Sequence, residues 1–78
     1  MNKSTHLISL CDMNNKQVGV VAELATDNRS ILRKLMSMGI LPGTRIKLIQ
    51  KFPSYVFQVG YTQVAVDREI ASVISVNI

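Results

Sequence analysis

The sequence predicts a mainly β fold, a small barrel of five to six short strands with one α-helix and one further helical turn. Its 78 residues suffice for one domain with a thin core, because a chain of this size buries only about 60% of its unfolded surface. A hydrophobic share of 47% and a charged share of 18% exclude a disordered chain. Short runs rich in Val and Ile, separated by turn residues, favour strands over a helical bundle. We expect one domain over residues 1–78, with a folded core over about 7–76.

Two strands are predicted in the first third of the chain. The apolar stretch His6–Cys11 predicts the first strand, and the pair Asn14-Asn15 after it marks a turn or loop. The β-prone run Gln17–Leu24 predicts the second. Gly19 lies inside that run, which indicates a bulge or a sharp bend of the kind that small barrels need at their corners.

The α-helix is predicted at about residues 27–38. Three N-cap residue types in a row, Thr26-Asp27-Asn28, mark its start. Gly39 supplies the left-handed conformation that ends many helices. Between these signals the apolar residues recur at i, i+4 and i+7, with two more beside them, and together they form one broad face: Ile31, Leu32, Leu35, Met36 and Met38. The helix is therefore amphipathic, and we expect it to close an open end of the barrel.

Turn residues and period-2 alternation predict the remaining elements. Pro42 and Gly43 fit the two central positions of a type II turn. After this turn the sequence predicts, in order, a strand over Thr44–Lys51, a hairpin of Tyr55–Val59 and Gln63–Val66 around Gly60, a one-turn helix near residues 67–72, and a last strand over Ile74–Val76.

Composition also indicates where the protein works. Cys11 is the only cysteine, so an internal disulfide is excluded and a reducing compartment is expected. Residues 1–16 lack the apolar stretch of a signal peptide, and no run approaches the roughly 20 apolar residues of a membrane span. We therefore expect a cytoplasmic protein without direct membrane insertion.

Candidate catalytic and metal-binding residues are few. The five carboxylates are scattered along the chain, and Cys11 has no second histidine that could activate it. His6, Cys11 and Asp12 are close in sequence and are possible metal ligands. In one strand, however, His6 and Cys11 would point to opposite faces, because they are an odd number of residues apart. The sequence thus predicts no enzyme, no catalytic residue, no metal site and no cofactor.

One stretch resembles a known family. The residues Leu35–Thr44 read Leu-Met-Ser-Met-Gly-Ile-Leu-Pro-Gly-Thr, which is similar to the FeoA signature, a helix ending in Leu-x-x-Met-Gly-Ile-x-Pro-Gly-Thr. The resemblance extends over roughly Leu7 to Val76. It departs from the family at Pro53-Ser54-Tyr55, where a Gly-rich tip is common, and at Asp67, where an Arg is common.

The resemblance to FeoA implies an SH3-like barrel and a cytoplasmic accessory role in bacterial ferrous iron uptake. The implied partner is FeoB, the GTPase-linked membrane transporter for ferrous iron, and the implied mode of action is protein docking. Similar domains are also appended to iron- and manganese-responsive repressors, so a module associated with a metal regulator is an alternative.

The predicted partner-binding surface is the exposed side of the helix together with the turn after it. Three basic residues could steer an acidic partner, and three apolar residues could supply the contact: Arg29, Arg33 and Lys34, then Met38, Leu41 and Pro42. The alternative for Met38 and Leu41 is that they only seal the barrel. Gly39, Pro42 and Gly43 are also predicted to shape the turn itself.

The formal net charge of +4 leaves two other associations open. Nucleic acid could bind a basic barrel through six cations, Arg29, Arg33, Lys34, Arg45, Lys47 and Lys51, but an ordinary solvated surface is the favoured explanation of these residues, and nucleic-acid binding is not expected. A weak homo-oligomer could form through an exposed strand edge.

Overall fold

Within residues 6–78, which the computed structural model describes, six antiparallel strands form one sheet in the order β1-β6-β2-β3-β4-β5. The elements are, in chain order, β1 (Leu7–Ser9), a 3-10 turn (Leu10–Asp12), β2 (Val18–Leu24), α1 (Arg29–Ser37), β3 (Arg45–Gln50), β4 (Tyr55–Val59), β5 (Thr62–Val66), α2 (Arg68–Ser72) and β6 (Ile74–Asn77). The predicted fold class is confirmed: the protein is mainly β, with six short strands, one α-helix and one helical turn.

The sheet curls around a single core. Its two end strands, β1 and β5, do not pair with each other, and the 3-10 turn and α2 lie between them. The 3-10 turn follows β1, and α2 follows β5. These two elements contact each other, with the Cys11 Sγ of the 3-10 turn 3.8 Å from the Arg68 carbonyl oxygen of α2. The hydroxyl of Ser9, the last residue of β1, also donates a hydrogen bond to the Ser72 carbonyl oxygen of α2 at 3.3 Å. The fully buried residues come from nearly every element and include Leu10, Leu35, Leu48, Phe57 and Ile74.

The first predicted strand is shorter in the structure. The Ser9 hydroxyl accepts a hydrogen bond from the Cys11 N–H at 3.1 Å, which turns the chain into the 3-10 helix after Ser9. Neither His6 nor Cys11 therefore lies in β1, and the alternation argument that placed their side chains on opposite faces does not apply. Met13, inside the predicted loop, is fully buried, because this turn directs it into the core.

Gly19 has a different role from the one predicted. The register shift in β2 lies between Val21 and Glu23, not at Gly19. A β-carbon at Gly19 would collide with Cγ1 of Val76 and would lie 3.0 Å from Cγ2 of Ile78. Gly19 is needed because β6 and the C-terminal residue pack directly over it, not because β2 bends there.

The start of α1 is fixed by Asn28, so the helix begins two residues later than predicted. The Asn28 Oδ1 accepts hydrogen bonds from the N–H groups of Ser30 and Ile31, at 2.9 and 3.2 Å. The Thr26 hydroxyl in turn accepts from the Asn28 N–H at 3.1 Å. Of the three candidate caps, Asn28 is thus the N-cap, and Thr26 positions it.

The end of α1 and the turn after it have the predicted geometry. Gly39 has φ of +83° and Gly43 has φ of +93°. The Thr44 N–H donates to the Leu41 carbonyl at 3.0 Å, which closes the type II turn. The turn is fastened to β2 by two further bonds: the Gly43 N–H donates to the Val21 carbonyl at 2.7 Å, and the Val21 N–H donates to the Thr44 carbonyl at 2.8 Å.

Candidate docking surface

The orientation of α1 determines which of its residues can meet a partner. Leu35 is fully buried, and Ile31 and Met38 pack against the core. These three residues share one helix face, because they are separated by four and three positions. The opposite part of the helix faces solvent, and it is the part that can contact another molecule.

A shallow groove of about 380 Å³ runs along the solvent side of α1, and we call it the α1 groove. Its four residues follow the i, i+3, i+4, i+7 spacing of a single stripe: Arg29, Leu32, Arg33 and Met36. Leu32 is half-buried, and Met36 is 51% exposed. Two guanidinium groups therefore lie beside two apolar side chains.

This combination of arginine and apolar side chains is better suited to binding a protein surface than to catalysing a reaction. Arginine binds carboxylates with two parallel hydrogen bonds, and its planar fork is partly preorganised for that contact. Methionine is flexible and polarisable, so an exposed methionine adapts to the shape of an apolar partner residue. An acidic surface that also offers an apolar side chain would match the α1 groove in both charge and polarity.

The structure brings together only part of the predicted docking surface. Arg29 and Arg33 lie in the α1 groove, whereas Lys34 is exposed on the other flank of the helix, about 100° around the axis from Arg33. Met38 is half-buried and packs against the core, as the alternative that it seals the barrel expects. The exposed methionine is Met36, and the helical spacing of Met36 from Arg29 was the signal in the sequence that could have identified it.

The turn after the helix keeps its predicted exposure. Leu41 is 44% exposed and Pro42 is exposed, at the same end of α1 as Met36. The hydrogen bonds between the turn and β2 hold these two residues on a fixed backbone. An exposed apolar residue on a rigid turn loses little conformational entropy when it is covered, which favours it as a contact.

A second depression, of about 340 Å³, lies on the outer face of β2, β3 and β4. Its wall contains Val18, Arg45, Lys47 and Gln58. The six cations that could bind nucleic acid are therefore divided between elements: three lie on α1 and two on β3. The sixth, Lys51, follows β3 and is half-buried.

The only cysteine, Cys11, packs against the core beside Tyr55. The Cys11 Sγ is 3.8 Å from the carbonyl oxygen of Arg68. A hydrogen bond with the Cys11 side chain, and to a lesser extent burial, raises the pKa of Tyr55 above its usual value. In the described part of the chain, no three side chains of His, Cys, Asp or Glu are grouped so that they could hold a metal ion.

The fold and the groove together define a small SH3-like barrel with an amphipathic surface on its one long helix. A family model described as "FeoA domain" matches residues 8–78. The chain belongs to the FeoA domain family. Among curated proteins, none matches the sequence significantly. No helix formed by residues 6–78 combines the length and the apolar character that crossing a membrane requires.

Solved structures similar to this chain have the same fold at low sequence identity. An iron uptake regulatory protein (FeoA) is 23% identical, with 94% of this chain and 99% of that chain covered and a TM-score of 0.84. A FeoA-like protein from Clostridium acetobutylicum is 25% identical, with 94% and 87% covered and a TM-score of 0.81. The FeoA of Stenotrophomonas maltophilia, described as a procaryotic SH3 domain protein and solved with zinc, is 24% identical, with 88% of each chain covered and a TM-score of 0.78.

Proposed function

We propose that this protein is a cytoplasmic accessory of bacterial ferrous iron uptake, and that it docks through the α1 groove onto the cytoplasmic part of a FeoB-type membrane GTPase transporter. Membership of the FeoA family supports the iron-uptake role. The observation that carries the docking mechanism is the pairing of Arg29 and Arg33 with the exposed side chain of Met36 on one stripe of α1.

The two kinds of side chain have separate tasks in this proposal. The guanidinium groups attract an acidic patch of the partner and orient it during the encounter, which raises the association rate. Met36 and Leu41 then lose their exposed apolar surface to the partner, which slows dissociation. The protein contributes binding and no chemistry of its own to transport.

Transport measurements in cells that lack the gene for this protein test the proposal. The wild-type chain is expected to restore uptake of radiolabelled ferrous iron, and Arg33→Glu/Met36→Asp is expected to fail. The matched control is Lys34→Glu/Ser37→Asp, which changes the net charge by the same amount on the same helix but outside the α1 groove, and it is expected to restore uptake. Equal uptake with both variants would contradict the proposed docking surface.

A further inference from the structure

The hairpin formed by β4 and β5 is free of charge. No Asp, Glu, Lys or Arg occurs from Tyr55 through Val66, although 18% of the whole chain is charged. β5 is also the last strand of the sheet, with β4 on one side and no strand of the described chain on the other. The least charged part of the protein thus ends in an unpaired strand edge.

The residues whose backbone faces outward on this edge follow from the hairpin geometry. Gly60 and Tyr61 form a two-residue turn closed by the pair Val59 and Thr62. Such a closing pair is hydrogen-bonded, and hydrogen-bonded pairs alternate with pairs whose backbone groups point away from each other. The N–H and C=O groups of Gln63 and Ala65 therefore point away from β4.

These outward groups have no partner among residues 6–78. No hydrogen bond joins the N–H or C=O of Gln63 or Ala65 to a loop, a helix or a side chain of the described chain. Both residues are exposed. A row of unpaired backbone donors and acceptors in this geometry is a template for an additional strand.

Natural proteins usually protect such an edge, and β5 has none of the usual protection. It contains no Lys, no Pro and no inward-pointing charge, and its pairing with β4 runs over five residue pairs without a register shift. The other end of the sheet differs, because β1 has only three residues and passes directly into the 3-10 turn.

We propose that β5 pairs antiparallel with β5 of a second copy of this chain, with the twofold axis at Val64. This register places Thr62 opposite Val66 of the second copy and Gln63 opposite Ala65. The small side chain of Ala65 leaves room for Gln63, and one symmetric contact satisfies both edges at once. Val64 and Val66 point into the core, at 8% and 5% exposure. In the dimer these residues of the two β5 strands therefore lie on the same, apolar face of the joined sheet.

A second copy is favoured because the β5 edge is self-complementary: across the twofold axis, Gln63 of each copy pairs with Ala65 of the other, so the outward N–H and C=O groups of both edges find partners. Each copy is basic, with a formal charge of +4, but β5 itself brings no charge into the contact. The basic strand β3, with Arg45 and Lys47, is separated from the β3 of the second copy by five strand spacings of about 4.8 Å along the joined sheet. This separation exceeds the Debye length of about 10 Å at 0.1 M salt.

Association is expected to be weak, because two five-residue strands bury less surface than the roughly 1,600 Å² of a standard interface. Sedimentation from about 1 μM to about 1 mM protein should therefore show the mass rising from 8.7 kDa toward twice that value. Ala65→Pro removes one outward N–H without removing a bond to β4, and it should stay monomeric throughout. Ala65→Val keeps the N–H and should associate as the unaltered chain does.

Amide hydrogen exchange of the unaltered chain locates the contact without any substitution. Exchange at Gln63 and Ala65 should slow at least tenfold as the concentration rises, whereas Val64, bonded to β4, should be protected at every concentration. A chain that remains at 8.7 kDa at about 1 mM would overturn the proposal. Ala65→Pro that associates like the unaltered chain, or protection of Gln63 and Ala65 that appears only when the transporter's cytoplasmic part is added, would also overturn it.

Discussion

The backbone N–H of Ile40 donates a hydrogen bond to the carbonyl oxygen of Leu35 at 3.0 Å, and both side chains are fully buried. A second bond, from the Gly39 N–H to the Met36 carbonyl at 3.0 Å, lies inside the first. The two bonds are those of a Schellman motif, with its apolar contact between the residues at C3 and C″. Because of this motif the chain leaves α1 in a fixed direction, which brings the Pro42-Gly43 turn into hydrogen-bonding contact with β2.

Gly39→Ala tests this helix end. Gly39 has φ of +83°, and no atom lies within 4 Å of a β-carbon placed there, so backbone strain is the only expected cost. We expect a loss of about 1 kcal/mol in the free energy of unfolding, measured by urea denaturation with an unchanged slope. The control is Ser37→Ala. Ser37 lies two residues earlier and has ordinary helical geometry, so this substitution should change the free energy of unfolding much less. Equal effects would show that the left-handed glycine is unnecessary.

Gly19→Ala should be destabilising for a different reason. Gly19 does not have a positive φ, but its β-carbon would overlap Cγ1 of Val76. Overpacking of this kind costs about 1–3 kcal/mol. Val76→Ala removes the obstructing carbon, so in a double-mutant cycle the loss caused by Gly19→Ala should be smaller in the Val76→Ala background. Strictly additive losses would mean that the two residues are not in contact.

The N-cap assignment gives a paired prediction at the start of α1. Asn28→Ala removes the acceptor of two backbone N–H groups and should cost about 1 kcal/mol of the free energy of unfolding. Asp27→Ala, one residue earlier and exposed, should cost a few tenths at most, because Asp27 is not the cap. Thermal or urea denaturation distinguishes the two, and a larger loss for Asp27→Ala would refute the assignment.

Tyr55 gives a prediction about pH. The hydrogen bond with Cys11 raises the pKa of Tyr55 in the folded state, whereas the unfolded chain has the ordinary value of about 10. The bond's stabilisation is therefore complete below about pH 10 and is lost as the pH rises through the raised pKa of the folded state. In a Tyr61→Phe background, where Tyr55 is the only tyrosine, tyrosinate absorbance should report this pKa directly. Cys11→Ala should lower it toward the ordinary value, and an unchanged titration would exclude the bond as the cause.

Features of the fold that depend on neighbouring residues could be predicted from the sequence, whereas features that depend on distant residues could not. The Leu35–Thr44 stretch was predicted in detail because helix ends and type II turns depend on residues that are neighbours in the chain. The function of Gly19 was not predictable, because β6, which packs over it, is more than fifty residues away in the sequence. Met13 was assigned to a loop for a different reason: the apolar run through Cys11 was read as one strand, and the local hydrogen bond from the Cys11 N–H to the Ser9 hydroxyl, which starts the 3-10 turn, was missed.

The residues of the proposed docking surface could be predicted only in part, because a periodic pattern does not fix how far a helix is rotated about its axis. The four apolar residues of α1 and Met38 at its C-cap form a face too broad to be buried completely, and packing decides which of them remain exposed. The structure buries Leu35, packs Met38 against the core and leaves Met36 in the groove beside Arg33. Arg29 and Arg33 were predictable because charged residues avoid the core whatever the rotation.

Docking through the α1 groove is tested most directly by a calorimetric titration of this chain against the isolated cytoplasmic part of the FeoB-type transporter. The wild-type chain and the Lys34→Glu/Ser37→Asp control should bind with similar affinity, and binding should weaken as salt is added. Arg33→Glu/Met36→Asp should weaken binding by at least about 100-fold while its urea denaturation stays close to that of the control. Undiminished binding by the groove variant, or equal loss in both variants, would contradict docking through the α1 groove.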